Sequence, residues 1–390
     1  MNISKIGEAI EHYVVDVMNE ETYSKGRVFV RGVLFVFSRF YRNAVQFRHW
    51  MYDKGFYRRH PLGCLVVSIG NLTCGGTGKT PVVEVFARSL TNEGRKVAIL
   101  SRGYKSKDRT FFEKLGALSN SKKYEVPPRI VSDGENLLLN SETAGDEPYM
   151  LASNLKDVIV LVDKDRVKSG RFAISEYEVD TLILDDGFQY LDLKPHINIV
   201  LVDSTLPFHN HHVLPRGLLR EPIKNIRKAD YVFLTKSNGG NHLRHLKRFI
   251  EHHNRHAEII ECCHRPKYIE NVFKRDEKKP LEDLKGKVIA AISGIAVPES
   301  FEKFLTERGA KIVYKARFAD HHAYTQQEMI DFVNETKKAG ADWILTTEKD
   351  AVRMPRMTRR DIPFYFLRIE IDILSGLENF DQAISRICFR

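Results

Sequence analysis

Gly75, Gly76 and Gly78 precede Lys79, Thr80 and Pro81, and an apolar run from Cys64 to Ile69 leads into them. A glycine-rich turn lets successive backbone N–H groups close around phosphate oxygens. The start of a helix beyond it adds partial positive charge. At this spacing Lys79 reaches the β- and γ-phosphates of a nucleotide, and the Thr80 hydroxyl ligates Mg²⁺. The candidate triphosphate-binding set is therefore Gly75, Gly76, Thr77, Gly78, Lys79, Thr80 and Pro81. One position departs from the strict G-x-x-x-x-G-K-[ST] pattern: Thr73 stands where glycine is expected, with Gly70 and Gly75 on either side.

Carboxylates supply the next signals. Thr181-Leu-Ile-Leu-Asp185-Asp186 is an apolar strand ending in two acids, the arrangement that holds Mg²⁺ downstream of a phosphate loop. Adjacent strand residues point to opposite faces, so one aspartate ligates the metal directly and the other acts behind it. Asp146 and Glu147 lie between Gly145 and Pro148, where a loop opens a helix. Two roles are open for Asp146: an N-cap, or a general base that accepts a hydroxyl proton during phosphoryl transfer. Arg216, Arg220 and Glu221 sit in a Pro- and Gly-punctuated turn suited to an anionic substrate, or to plain solvation. Asp320, His321 and His322 offer groups that orient a base or touch phosphate. The other histidines and cysteines show no C-x-x-C or H-E-x-x-H zinc spacing.

These residues need a scaffold. Short Val/Ile/Leu-rich runs at 65–69, 96–100, 158–162, 181–184, 197–202 and 231–234 alternate with helical stretches. That pattern predicts an α/β fold with a P-loop NTPase-type parallel sheet flanked by helices. Residues 105–128 read as an exposed excursion, the His-rich stretch 237–256 as an interruption, and 274–287 as a linker or surface turn. Alternation resumes at Val288, Lys311, Trp343 and Phe364, which predicts a second, smaller α/β lobe closing the cleft. The expected division is an N-terminal segment 1–60, a nucleotide-binding domain 61–236 and a C-terminal lobe 237–390.

Charge is concentrated near the start. Residues 25–60 carry nine Lys/Arg against Asp53 alone, within a chain of net charge +10. Ten aromatic residues interleave with them, and Val28 to Ser38 is apolar apart from Arg31. A basic, aromatic helix of this kind lies in the headgroup plane of an anionic membrane. A core helix with a basic side and a nucleic-acid surface are the other readings, the last weakened by the apolar run Val33 to Phe37. No run approaches the length that spans a bilayer, and five cysteines without paired spacing point to a reducing compartment.

Taken in order, Ser68–Pro81, Leu100–Tyr104, Gly145–Pro148, Leu184–Gln189, Leu214–Pro222, Ala319–His321 and Thr347–Asp350 resemble the tetraacyldisaccharide 4′-kinase family of lipid A biosynthesis. Thr73 fits that family's G-N-x-x-x-G-G-T-G-K-T-P loop. The resemblance implies an enzyme that moves the γ-phosphate of ATP, with Mg²⁺, to the 4′-hydroxyl of an acylated glucosamine disaccharide phosphate. The place would be the cytoplasmic face of the bacterial inner membrane, as a peripheral protein with no nucleic-acid partner. It also implies Asp146 as catalytic base with His321 as partner and Lys79 on the phosphates. Thr80, Asp185 and Asp186 would hold metal, and Glu147, Arg220 and Glu221 would line the substrate site. A soluble P-loop nucleotide switch and a nucleic-acid-binding ATPase are the alternatives.

Overall fold

The computed structural model describes residues 17–18, 25–103, 126–240, 242–320, 322–355, 357 and 361–388. In chain order the elements are α1 (Lys25–Asp53), β1 (Leu65–Asn71), α2 (Lys79–Asn92), β2 (Val97–Ser101), β3 (Arg129–Asp133), α3 (Ser141–Ala144), α4 (Asp146–Asn154), β4 (Ile159–Val162), α5 (Arg166–Tyr177) and β5 (Thr181–Asp185). There follow β6 (Ile197–Asp203), β7 (Tyr231–Thr235), α6 (His242–His253), β8 (Glu258–Asn271), β9 (Lys278–Pro280), β10 (Val288–Ser293) and α7 (Pro298–Glu307). The chain closes with β11 (Lys311–Arg317), α8 (Gln326–Lys338), β12 (Trp343–Thr347), α9 (Glu348–Ala351), β13 (Phe364–Ser375) and α10 (Leu377–Cys388).

Two compact units emerge, and neither is a single stretch of chain. The first comprises Met1–Arg102, Asp163–Cys263 and Ile373–Arg390; the second comprises Gly103–Val162 and His264–Asp372. These units cut across the linear division at residues 60 and 236. The excursion expected at 105–128 falls outside the described residues up to 125.

In the first unit β8, β7, β6, β1, β5 and β2 lie side by side, each pair parallel. The residues of β1, β2, β5, β6 and β7 are almost wholly buried, as strands covered on both faces must be. The sheet runs outward from β1 in both directions, through β5 to β2 and through β6 to β8. Connections leaving its carboxyl end therefore diverge, and a crevice for ligand opens there. Helix α2 buries Val82, Val83, Phe86 and Leu90. Phe86 meets Phe380 of α10 at 5.0 Å and Phe233 of β7 at 5.6 Å.

Gly70 near the end of β1 is required by close approach: a Cβ there would lie 2.7 Å from Phe188 Cβ and 2.8 Å from its backbone nitrogen. The His-rich stretch that sequence marked as an interruption is helix α6. Leu243, Leu246 and Ile250 recur at helical spacing and bury one face among Val202, Leu234 and Phe208.

In the second unit β11, β10, β12 and β13 form a parallel set, and β3 pairs antiparallel with β4. One core gathers Trp343, Tyr365, Leu345 and Phe301, another Phe332, Met329, Ile344 and Tyr324. The stretch 274–287, expected as a surface turn, contains β9 paired to β8 and a 3-10 helix whose Leu281 and Leu284 are buried. Helix α8 is opened by a capping box between Thr325 and Glu328.

Candidate active site

The glycine-rich loop follows β1 directly. Gly78 adopts a left-handed conformation (φ 78°, ψ 33°) as the N-cap of α2, so Lys79 and Thr80 open the helix. A side chain at that dihedral would be strained. The loop is tethered from several sides: Thr235 Oγ1 donates to Thr77 O at 2.8 Å, and Lys236 Nζ to Gly76 O at 2.9 Å.

Asn71, absent from the sequence-based list of roles, is the hub. Its Nδ2 donates to Thr73 O and to Thr77 Oγ1, both at 2.9 Å, and its Oδ1 accepts from Lys79 Nζ at 3.4 Å and from Arg220 Nη2. Thr73 has a structural role as well. Its carbonyl accepts from Arg220 Nε at 3.2 Å, and it bridges to Leu219. The departure from the strict loop pattern is therefore where the turn 214–222 is fastened. Gly217 in that turn has no room for a side chain, since a Cβ would lie 2.0 Å from Asn210 Oδ1.

Asp185 and Asp186 part company at the end of β5. Asp185 is buried and accepts from Ser101 Oγ at 3.0 Å. Asp186 turns into the left-handed region (φ 57°), which sends its carboxylate to Arg220 (2.8 and 3.0 Å) and Lys79 (3.4 Å). Burial by itself would raise the Asp186 pKa. The hydrogen bonds from Arg220 and the charge of Lys79 outweigh it and hold the group at about 2.

A lowered pKa stabilises the fold above the unfolded value near 4, and that contribution disappears as pH falls through about 2. The thermal stabilities of wild type and Asp186→Asn are accordingly expected to converge between about pH 4 and pH 2. A gap that stays constant across that range would refute the pairing.

Arg166, 6% exposed at the start of α5, also belongs to this neighbourhood. Its guanidinium lies 4.9 Å from the Tyr190 ring and feels both aspartates, while its Nε has no hydrogen-bond partner among the described residues.

Glu221 is placed apart from its neighbour Arg220. It is buried against α1, with Oε2 3.0 Å from His49 Nε2 and 2.7 Å from Asn225 Nδ2. Burial pushes its pKa up, but His49, Asn225 and Lys228 together bring it below the ordinary value. Tyr41 Oη donates to Arg220 O at 3.1 Å and Gln46 Nε2 to Asn225 Oδ1 at 3.2 Å, so α1 grips the segment that carries Arg220.

In the second unit Asp146 is the first residue of α4, and its N-cap is Gly145 (φ 93°) with no side-chain cap. The capping role open to Asp146 is thus not taken. Its Oδ2 accepts from Arg353 Nε at 2.7 Å. Asp146, Glu147, Met150, Lys349, Val352 and Arg353 line one small cleft. His321 lies outside the described residues. Its neighbour His322 pairs with Glu328 at 3.1 Å and stacks on Phe318. Arg353 was not singled out from sequence. The available signal was its place three residues beyond Asp350, the spacing that puts two side chains on one helical face.

The donors at the loop suit a hard cation: the Thr80 hydroxyl and the Asp185 carboxylate are both buried oxygens. Asp186 already has two basic partners. Among the described residues no three His, Cys, Asp or Glu converge as a metal-binding group. Mg²⁺ held with few protein ligands and several phosphate and water oxygens fits such a site.

A family model described as tetraacyldisaccharide-1-P 4′-kinase matches residues 30–388. A tetraacyldisaccharide 4′-kinase of Syntrophus aciditrophicus is 39% identical over 352 residues, covering 87% of this chain and 89% of that protein. The enzyme of the same name from Halothermothrix orenii is 30% identical and covers 98% and 100%. Among solved structures, LpxK from Aquifex aeolicus in complex with ATP superposes with a TM-score of 0.71 at 30% identity, over 92% of this chain and all of that one.

Proposed function

The chain belongs to the tetraacyldisaccharide-1-P 4′-kinase family and is a kinase, and from that premise we propose that it transfers the γ-phosphate of ATP to the 4′-hydroxyl of a tetraacylated glucosamine disaccharide 1-phosphate. The observation that carries this reading is the cationic cradle in which Lys79 and Arg220 converge on Asp186 beside the glycine loop. The backbone of Gly75, Gly76, Thr77 and Gly78 surrounds phosphate oxygens, with Pro81 in the first turn of α2. Lys79 and Arg220 supply positive charge where negative charge spreads over the phosphoryl group. Mg²⁺, held by Thr80 and Asp185 with Asp186 behind them, would offset charge on the phosphate oxygens.

Asp146 accepts the proton of the attacking 4′-hydroxyl, with His321 as its partner in the resemblance, and Glu147 contributes to substrate contact. A carboxylate suffices as base because this chemistry depends mostly on positioning and electrostatics. Glu221, buried against His49, serves the substrate site by holding the segment of Arg220 in place.

The lipid substrate is met at a membrane, and α1 has the form for it. Its polar contacts face the protein through Tyr41, Gln46 and His49. Phe29 (73% exposed), Phe40 (69%) and Phe47 (60%) face outward with Val36 and Phe37, and only Ser38 and His49 of this helix are buried. Among the described residues no helix is long and apolar enough to cross a membrane. An apolar, basic surface helix of this kind supports peripheral binding to the cytoplasmic face of an anionic inner membrane. Replacing Phe29, Phe37 and Phe40 together by serine is expected to abolish sedimentation with anionic vesicles while the fold is retained. Undiminished sedimentation would remove α1 from that role.

Incubation with γ-labelled ATP and the acylated disaccharide 1-phosphate tests the reaction. Label is expected on the lipid at the 4′ position. Hydrolysis of ATP with no labelled lipid would favour a nucleotide switch.

A further inference from the structure

The second unit holds a buried charge relay behind Asp146. The Arg353 side chain is 4% exposed. Besides its 2.7 Å bond to Asp146, its Nη1 donates to Gly294 O at 3.3 Å and to Asp350 Oδ1 at 3.4 Å. Asp350 is fully buried and also accepts from Thr347 Oγ1 at 2.6 Å and Tyr324 Oη at 3.0 Å. Burial foremost, with Asp350 beside it, pushes the Tyr324 pKa well up, so this hydroxyl stays a donor. Space for the relay is made at Gly294, where a Cβ would lie 3.0 Å from Tyr324 Oη and 3.1 Å from Asp350 Oδ1.

A buried guanidinium is costly unless its N–H groups are paired, and a buried carboxylate likewise. Arg353 therefore has one orientation in which both carboxylates and the Gly294 carbonyl are satisfied. In that orientation its Nε engages a single oxygen of Asp146, which fixes rotation of that carboxylate about its Cβ–Cγ bond. We infer that Arg353, anchored by Asp350, is the positioning residue that aims Asp146 at its substrate proton. The inference rests on the assignment of Asp146 as the base. The Thr347-Glu-Lys-Asp350 segment thereby gains a role: it holds the far end of the clamp.

The test measures kcat and KM for ATP and for the lipid in wild type, Arg353→Gln, Arg353→Lys, Asp146→Asn and the Arg353→Gln/Asp146→Asn double variant, with thermal unfolding of each. A misaimed catalytic group costs about 10- to 100-fold, so Arg353→Gln is expected to lose that factor in kcat with both KM values little changed. Arg353→Lys, which keeps the charge and loses the planar fork, should fall between. Added methylguanidinium should restore part of the Arg353→Gln loss, which a merely unfolded variant would not show. On Asp146→Asn the second change should cost nothing more, because the clamp has nothing left to aim. Wild-type kcat in Arg353→Gln, or a full additional loss in the double variant, overturns the inference while leaving the base intact. Wild-type kcat in Asp146→Asn removes the base, and the inference with it.

Discussion

Asp146→Asn is expected to lower kcat by about 10²- to 10⁴-fold, the range a positioned general base contributes, with nucleotide binding unchanged. Asparagine keeps the size of the side chain and an oxygen that can accept the Arg353 N–H bond, so α4 and its cleft should survive. On the proposed assignment, what disappears is the ability to take up a proton from the attacking hydroxyl. Nucleotide affinity measured by calorimetry separates the two effects. A loss of ATP affinity as large as the loss in kcat would mean that Asp146 serves binding and that the proton leaves by another route.

Lys79→Ala is the second large effect expected, a fall in kcat of about 10²- to 10³-fold, comparable to losing one preorganised donor at a site of developing charge. The ammonium is held between Asn71 Oδ1 and Asp186 Oδ1, each at 3.4 Å, so its position is set before phosphate arrives. Lys79→Arg is not a rescue. A guanidinium is bulkier and planar, and it would meet Arg220, which already fills both oxygens of Asp186. Full activity in Lys79→Arg would show that charge alone matters and that the Asn71–Asp186 seat does not.

How much of this could be read from residue order depends on the distance over which each feature is built. The glycine loop was legible because strand, turn and helix follow one another directly from Leu65 to Asn92, and each leaves a local signature. Five of the six parallel strands of the first unit, β1, β2, β5, β6 and β7, announce themselves as short β-branched runs for the same reason. The long strand β8 did not: Glu261, His264, Arg265, Pro266 and Lys267 break its apolar run, and its burial changes along its length. Helix α6 was hidden because polar and basic residues outnumber the three that bury its inner face. The two units were hidden because each is assembled from separated segments, and no composition shift marks where the chain leaves one for the other.

Local sequence was enough to establish a glycine loop between strand and helix, the acids at the end of β5, the opening of a helix at Asp146 and an apolar, basic helix near the start. Each follows from periodicity and turn chemistry within a few residues. Partner choice among the charges belonged to the tertiary structure alone. Asp186 finds Arg220 across 34 residues, Glu221 finds His49 across 172, and Asp146 finds Arg353 across 207. Arg220 and Glu221 were expected to line one site together, and the fold turns them to different partners, while Asp185 and Asp186, expected to face apart, find theirs in Ser101 and Arg220. The physical reason is burial: a charge removed from water must be paired, and which opposite charge can reach it is decided by packing of distant segments.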